Sequence, residues 1–231
     1  MVALPSATAT KETDGRSNRI TRTKQLLRTN KPNDGNIKQL SFIADDRIQQ
    51  QPSIRIVMAR AILGGGCFWC VEGAFKQLKG VTSALPAYAG GPNPNPTYKQ
   101  VCSGNTGHAE VVEVVFDSSQ IDYNTILEIF FTVHDPTQLN RQGGDIGTQY
   151  RSCIMPVEEG QEEIALEVIK AMQQLYEQQI VTTIEPATNF IIAEEYHHDY
   201  YARNPNQGYC AAVVSPKLSK VRAKFSHLYS E

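Results

Sequence analysis

The order of periodic segments predicts an α+β protein, a two-layer sandwich with a mainly antiparallel sheet and a ferredoxin-like core. Three observations predict it. Short apolar runs of strand length interleave with stretches whose apolar residues recur at helical spacing, in the order strand–helix–strand–strand–helix–strand–helix–strand. That order suits a sheet with helices on one side and does not produce a doubly wound parallel sheet. A hydrophobic fraction of 41% and a charged fraction of 20% are ordinary for a globular core.

The elements follow in chain order. Residues 54–63 are apolar and partly alternating, a strand candidate, and Gly64-Gly65-Gly66 is a backbone-permissive turn. Residues 68–79 place Val71, Ala74, Phe75 and Leu78 at helical spacing, with Gly80 as the stop. Residues 81–89 read as a second strand. The three prolines of residues 92–96 impose a loop, and 98–103 form a short helix. Residues 110–117 alternate cleanly and are the clearest strand. Residues 123–134 form an amphipathic helix stopped before Pro136, and 137–148 form a polar loop. Strand-like residues 149–157 precede a long helix over 158–180, whose first turns are acidic and so favourable to the helix dipole. Residues 182–193 are the last strand candidate. A short helix over 194–203, an apolar strand-like run over 211–218 and a basic helix over 216–228 end the chain.

Of 231 residues, the first 60 carry a net charge of +6 and the remainder −8. The leader is polar, with Phe42 its one aromatic, and cannot bury enough apolar area to offset its chain entropy. The expected division is a disordered basic leader over 1–55 and a catalytic domain over 56–231. The leader weakly resembles an organelle transit peptide, but Glu12, Asp14 and Asp34 count against import, and translation from Met58 is an alternative. The overall charge of −2 excludes a general basic nucleic-acid binder. No apolar run is long enough for a membrane span, and no secretory signal is evident. A reducing, cytoplasmic setting is expected, where cysteines tend to be catalytic or metal-binding.

The five cysteines are too few for a disulfide scaffold, and their odd number leaves a thiol over. The most informative stretch is Gly65-Gly66-Cys67-Phe68-Trp69-Cys70. A cysteine directly after a strand and a glycine turn stands at a helix N-terminus, where unpaired N–H groups favour the thiolate and lower its pKa. Cys70 lies about one turn along, on the same face, so the two can bridge. Zinc needs four ligands, usually in matched pairs, and no second pair is evident. A thioredoxin-like dithiol and a pair of structural buried thiols are the other readings. The glycines argue instead for close approach by a ligand.

Further motifs decide between these readings: Asn95-Pro96-Thr97-Tyr98, Gly107-His108-Ala109-Glu110 and Asp145-Ile146-Gly147-Thr148-Gln149-Tyr150. With Gly66-Cys67-Phe68-Trp69 they resemble, in order, the A-type peptide methionine sulfoxide reductases, from about residue 61 to residue 210. The resemblance implies that Cys67 is the nucleophile toward the sulfoxide sulfur. Phe68 and Trp69 would receive the S-methyl group, and Glu110 would protonate the oxygen. Tyr98 and Tyr150 would hold that oxygen, and Asp145 would be a second pocket carboxylate. Tyr196, His197 and Tyr200 match rim or support positions. The family also implies the S-epimer in proteins and as the free amino acid, thioredoxin as reductant, no metal or organic cofactor, and a monomer. A general thioredoxin-like disulfide oxidoreductase is the alternative activity.

The implied roles are chemically coherent. A carboxyl among aromatic rings is raised by desolvation and can act as an acid near neutrality. Two phenols suit the S–O dipole, and aromatic faces suit a methyl thioether. Attack would leave a sulfenic acid on Cys67, which a second thiol condenses to a disulfide. Cys210 matches the family's usual C-terminal resolving position. The tail after it is apolar rather than glycine-rich, so Cys70 is favoured as the resolving thiol, with Cys210 as alternate or second relay. Cys102 and Cys153 read as bystanders.

Overall fold

The central strand, β1 (Met58–Gly65), is apolar on both faces and becomes fully buried from Ala61 onward. A computed structural model describes residues 57–229. The leader proposed over 1–55, and the first residues of the strand expected from 54, lie outside the described residues.

The chain continues through α1 (Phe68–Phe75), β2 (Val81–Ala89), α2 (Tyr98–Cys102), β3 (Ala109–Asp117) and α3 (Tyr123–Val133). The two-residue strands β4 (Arg141–Gln142) and β5 (Asp145–Ile146) form a hairpin inside the expected 137–148 loop. Then come β6 (Ser152–Met155), α4 (Gln161–Gln173), β7 (Thr183–Ile184) and β8 (Ile191–Ile192). Two helices, α5 (Tyr200–Arg203) and α6 (Ser215–Lys224), complete the described chain.

Six strands form one sheet in the order β7-β6-β1-β3-β2-β8. Neighbours are antiparallel except β6 and β7, which are parallel, so the sheet is mixed and the protein is α+β. Ala61 and Leu63 of β1, with Val112, Val114 and Phe116 of β3, face the main core, where α1 and α3 supply Phe75, Ile126, Leu127 and Phe130. Asp122 starts α3 by accepting the Thr125 N–H at 2.8 Å. Ile62, Ala87, Val111 and Met155 point to the opposite face, against Ala187 and Phe190.

Four elements differ from expectation, each through contacts distant in sequence. Helix α1 ends at Phe75 rather than 79, because the Lys79 N–H donates to the carbonyl of Leu228 at 2.7 Å and Leu78 bridges Tyr229. Helix α4 spans 161–173 rather than 158–180. Gly160 before it is left-handed, and the Gln173 side chain closes its end by accepting the Ile180 N–H and donating to the Gln178 carbonyl. The expected strand over 182–193 is divided. Its first residues pair with β6 and its last with β2 on the opposite edge, while 185–190 crosses the second face of the sheet. The strand-like run over 211–218 is helical: Cys210–Val214 makes a π-helical turn that leads directly into α6. In addition, β6 begins at Ser152, because Thr148–Tyr150 form a 3-10 turn.

The glycine turn after β1 tests the packing. Gly66 has φ +87°, and a Cβ there would stand 2.5 Å from Cβ of Gln142. Gly160 shares the positive φ but has nothing within 4 Å of such a Cβ. Both alanine variants bear the left-handed penalty of about 1–2 kcal/mol. Gly66→Ala is expected to lose at least about 1 kcal/mol more than Gly160→Ala in denaturant unfolding, because it overpacks the turn as well.

Candidate active site

The turn delivers Cys67 to the N-cap of α1, where its backbone leaves the helix (φ −57°, ψ 122°). The Phe68 N–H, one of the orphan donors of the first turn, donates to Oε2 of Glu110 at 3.1 Å. Glu110 stands second in β3, opposite Tyr88 of β2, and is buried. This one hydrogen bond draws the acid and the thiol to the same end of the sheet.

Tyr98 is the first residue of α2. Thr97 caps that helix, with Gln100 returning its side chain to the Thr97 N–H. The Tyr98 N–H donates to Glu194 at 3.0 Å, and Glu194 also accepts the Tyr88 hydroxyl at 2.8 Å. Tyr150 ends the 3-10 turn, and Arg151 beside it anchors that turn. Its guanidinium donates to the carbonyls of Thr148 and Gly107 and forms a close pair with Glu185. Cys67, Trp69, Tyr98, Glu110, Asp145 and Tyr150 all line one cavity of about 290 Å³.

Two residues not singled out from the sequence, Gln207 and Tyr209, also line this cavity. The Tyr209 hydroxyl donates to Oδ2 of Asp145 at 2.6 Å. Its neighbour Cys210 drew attention, but nothing local marked Tyr209 as a pocket residue. Glu194 and Glu72 were missed as well. Glu72 accepts the Asp199 N–H at 2.7 Å, tying α1 to the segment that carries His197 and Tyr200, and burial raises its carboxyl to about 7.

The aromatic residues divide between wall and backing. Trp69 faces the cavity and stacks on Tyr200, with ring centroids 3.8 Å apart and planes 8° from parallel. Phe68 does not line the cavity. It is fully buried behind it, against Tyr88, Tyr98 and His197. His197 is itself buried, and burial lowers it to about 4, so the ring is neutral. Its position is backing for Phe68 and Tyr98 rather than rim, whereas Tyr196 beside it is exposed.

Cys70 and Cys210 do not line the cavity. Both are buried beneath it and pack with Cys67 and Val214 in one small cluster. The helix N-terminus alone predicts a lowered Cys67 thiol, and the structure reverses that direction. Burial pushes Cys67 well up, followed by its hydrogen bond to Cys70 and the charge there; only smaller contacts from Tyr209 and the Trp69 N–H oppose this. The same hydrogen bond pulls Cys70 down. The dithiol thus behaves as a unit: loss of its first proton is eased and loss of its second is opposed.

Burial also holds Glu110 far above the usual carboxylate range, reinforced by the Cys67 charge and only partly offset by the Phe68 N–H. Tyr98 and Tyr150 are raised, first by burial, so both remain hydroxyl donors. Cys153, in β6 opposite Gly64 of β1, is buried and pushed up to about 12. Cys102 lies beside the Tyr98 and Tyr150 phenols. Among the described residues, no group of three or more His, Cys, Asp and Glu side chains could hold a metal ion.

A buried acid, a thiol and two phenols around one cavity, with a second thiol buried beneath it, suit reduction of a polarised S–O bond. The family model described as peptide methionine sulfoxide reductase matches residues 59–229. The chain belongs to this family. It is 55% identical over 173 residues to a peptide methionine sulfoxide reductase MsrA of Chromobacterium violaceum, covering 74% of this chain and 98% of that protein. Identity to the MsrA of Deinococcus radiodurans is 52% over 165 residues, covering 71% of this chain and 80% of that protein. Among solved structures, reduced Mxr1 of Saccharomyces cerevisiae aligns with a TM-score of 0.63 at 34% identity, covering 68% of this chain and 91% of that one. Methionine sulfoxide reductase A of Corynebacterium diphtheriae aligns with a TM-score of 0.59 at 35% identity, covering 67% and 78%. The chain is therefore an A-type methionine sulfoxide reductase, and a general disulfide oxidoreductase is not favoured. Among the described residues, no helix is long and apolar enough to cross a membrane.

The raised Glu110 carboxyl fixes the sign of a pH effect. Below the ordinary carboxyl range both folded and unfolded chains hold the proton, and the group contributes nothing. Above it the unfolded chain ionises first, so stability is lost as pH rises, by at most about 1.4 kcal/mol per pH unit, up to the folded-state pKa. Glu110→Gln keeps an acceptor for the Phe68 N–H and removes the titration. Its stability relative to the parent is expected to improve as pH rises above about 4, the ordinary carboxyl range, measured by denaturant unfolding. A pH-independent difference would contradict a neutral Glu110.

Proposed function

We propose that Cys67 attacks the sulfur of methionine (S)-sulfoxide, bound in polypeptides or as the free amino acid. The carrying observation is that Cys67 and the buried Glu110, whose carboxyl burial raises, open into the same 290 Å³ cavity. The Phe68 N–H occupies one oxygen of Glu110, which leaves the other to serve the substrate. Tyr98 and Tyr150 donate hydrogen bonds to the sulfoxide oxygen as negative charge grows on it. Trp69, steadied by Tyr200, receives the S-methyl group, with Phe68 as its buried support. Asp145, held by Tyr209, orients the substrate from the other side.

The electron count closes. The Cys67 sulfur gives an electron pair to the substrate sulfur while Glu110 protonates the sulfoxide oxygen. The hydroxyl then passes to the Cys67 sulfur as the S–O bond and the transient S–S bond to the substrate both break, so Cys67 is oxidised by two electrons and methionine leaves as the reduced thioether. Cys67 is now a sulfenic acid. A thiolate displaces its oxygen as water or hydroxide, forming a disulfide. Cys70 is the proposed resolving thiol. Its position one turn from Cys67, in the same small buried cluster, supports this, as does the contact between the thiols that raises Cys67 and lowers Cys70, which lets Cys70 take the Cys67 proton before attack. Cys210 packs against both and is the candidate for a second exchange.

A dithiol reductant such as thioredoxin then regenerates the enzyme, taking up the oxidation as its own disulfide. No metal or organic cofactor enters this sequence. Cys67, Glu110, Tyr98 and Tyr150 come from one chain, which supports a monomer as the working unit. Three thiols that must return to the reduced state suit the cytoplasm, and repair of oxidised proteins is the role such chemistry serves. What supports a ferredoxin-like core is the β1–α1–β2–β3–α3–β6 succession, with antiparallel neighbours in the order β6-β1-β3-β2.

A single turnover of the reduced enzyme with a sulfoxide peptide and no added reductant should release one methionine and leave a Cys67–Cys70 disulfide in peptide maps. Maps showing only Cys67–Cys210 would overturn the choice of resolving thiol. Cys67→Ser should abolish turnover with dithiothreitol on the S-epimer; surviving activity would refute the nucleophile.

A further inference from the structure

The catalytic cavity does not end at Asp145 and Tyr209. Those two residues also border a second, larger hollow of about 560 Å³, between the β4–β5 hairpin and the π-helical turn that opens α6. One wall is apolar, formed by Ala212, Val213 and Pro216. The other is bare backbone at Gly143 and Gly144, where a Cβ would meet nothing within 4 Å. A free amino acid that fills the first cavity has no atoms to place in the second, whereas a polypeptide continues on both sides of the oxidised residue.

The charges around this hollow are uneven. Lys217 lines it, and the exposed guanidinium of Arg141 donates to the carbonyl of the lining Gly143 at 2.6 Å. The one carboxylate on its lining, Asp145, accepts the Tyr209 hydroxyl. Lys217 is the one cationic side chain on this lining, in a region, residues 61–231, whose net charge is −8.

Resting on the reductase reading above, we propose that the hollow between the β4–β5 hairpin and the 210–217 turn is a subsite for the residue flanking methionine sulfoxide in a polypeptide. It takes acidic side chains in preference to basic ones. Shape and continuity supply the binding, the glycine wall lets the main chain lie close, and Lys217 sets the charge preference.

The test compares kcat/KM for free methionine sulfoxide and for two peptides, one carrying Asp and the other Lys on both sides of the sulfoxide. The parent enzyme should favour the Asp peptide about two- to fivefold, the range of a partly exposed ion pair. Lys217→Glu should invert that ratio, which is taken within one variant and so is insensitive to any change in thiol reactivity. Ala212→Trp, at an exposed position on the hollow's wall, fills the hollow. It should lower kcat/KM for both peptides by at least about tenfold, equivalent to about 1.4 kcal/mol. Turnover of free methionine sulfoxide should stay within about twofold, since a flank the small substrate never occupies contributes to neither its ground state nor its transition state. A parent ratio near one that Lys217→Glu leaves unmoved would overturn the proposal, as would equal losses on free and peptide substrates in Ala212→Trp. If Ala212→Trp does not fold, the Lys217→Glu ratio decides. Failure of the parent enzyme to reduce even free methionine sulfoxide would instead refute the reductase reading.

Discussion

The hydrogen bond from the Phe68 N–H to Glu110 joins two groups that neither water nor their own element can satisfy. The first turn of α1 has an orphan donor, and Glu110 at the start of β3 is a buried carboxyl that costs several kcal/mol if left unpaired, about 2–7 for a polar group in apolar surroundings. Each resolves the other's deficit. The pairing works only if β1 ends level with the start of β3, as the antiparallel register Leu63↔Val112 arranges, and if the chain reverses within the glycine turn. Given those conditions, Cys67 must stand next to Glu110, and the burial that keeps the carboxyl protonated also raises the neighbouring thiol.

That raised thiol changes how reactivity should be understood here. A helix N-terminus alone makes a cysteine acidic. At Cys67 desolvation outweighs it, and the easing of deprotonation falls on Cys70 through the sulfur–sulfur hydrogen bond. The two buried sulfurs titrate together, and Asp145 in the same cavity adds its charge to the burial that raises Glu110.

The C-terminal third of the chain serves the site from outside. Residues 185–190 cover the second face of the sheet, Glu194 holds the N–H of Tyr98, and His197 and Tyr200 back Phe68 and Trp69. Glu72 ties this segment to α1. Tyr209 and the helical tail then close one side of the catalytic cavity and build the wall of the adjoining hollow. A tail that is helical from Cys210 onward places its thiol by packing rather than by a swing.

The α+β class, β1 to α3 and the turn at Gly66 were legible because their patterns are local: alternation, helical spacing and stop residues act within a few positions. Gly64 and Gly65, expected in that turn, instead end β1 because they pair with β6. The motifs around Cys67, Tyr98, Glu110, Asp145 and Tyr150 were equally legible, and the fold brings all five to one cavity. The division of 182–193 between two edges was not legible, nor were the helical tail and the early end of α1 at the Leu228 carbonyl, because partners far along the chain decide them. Phe68 as buried backing, Tyr209 and Glu194 as site neighbours, and the direction of the Cys67 thiol belong to the same class. Residue type and spacing determined which groups this protein brings to the reaction; burial and long-range hydrogen bonds, which exist only once the chain is packed, decided their protonation and their neighbours.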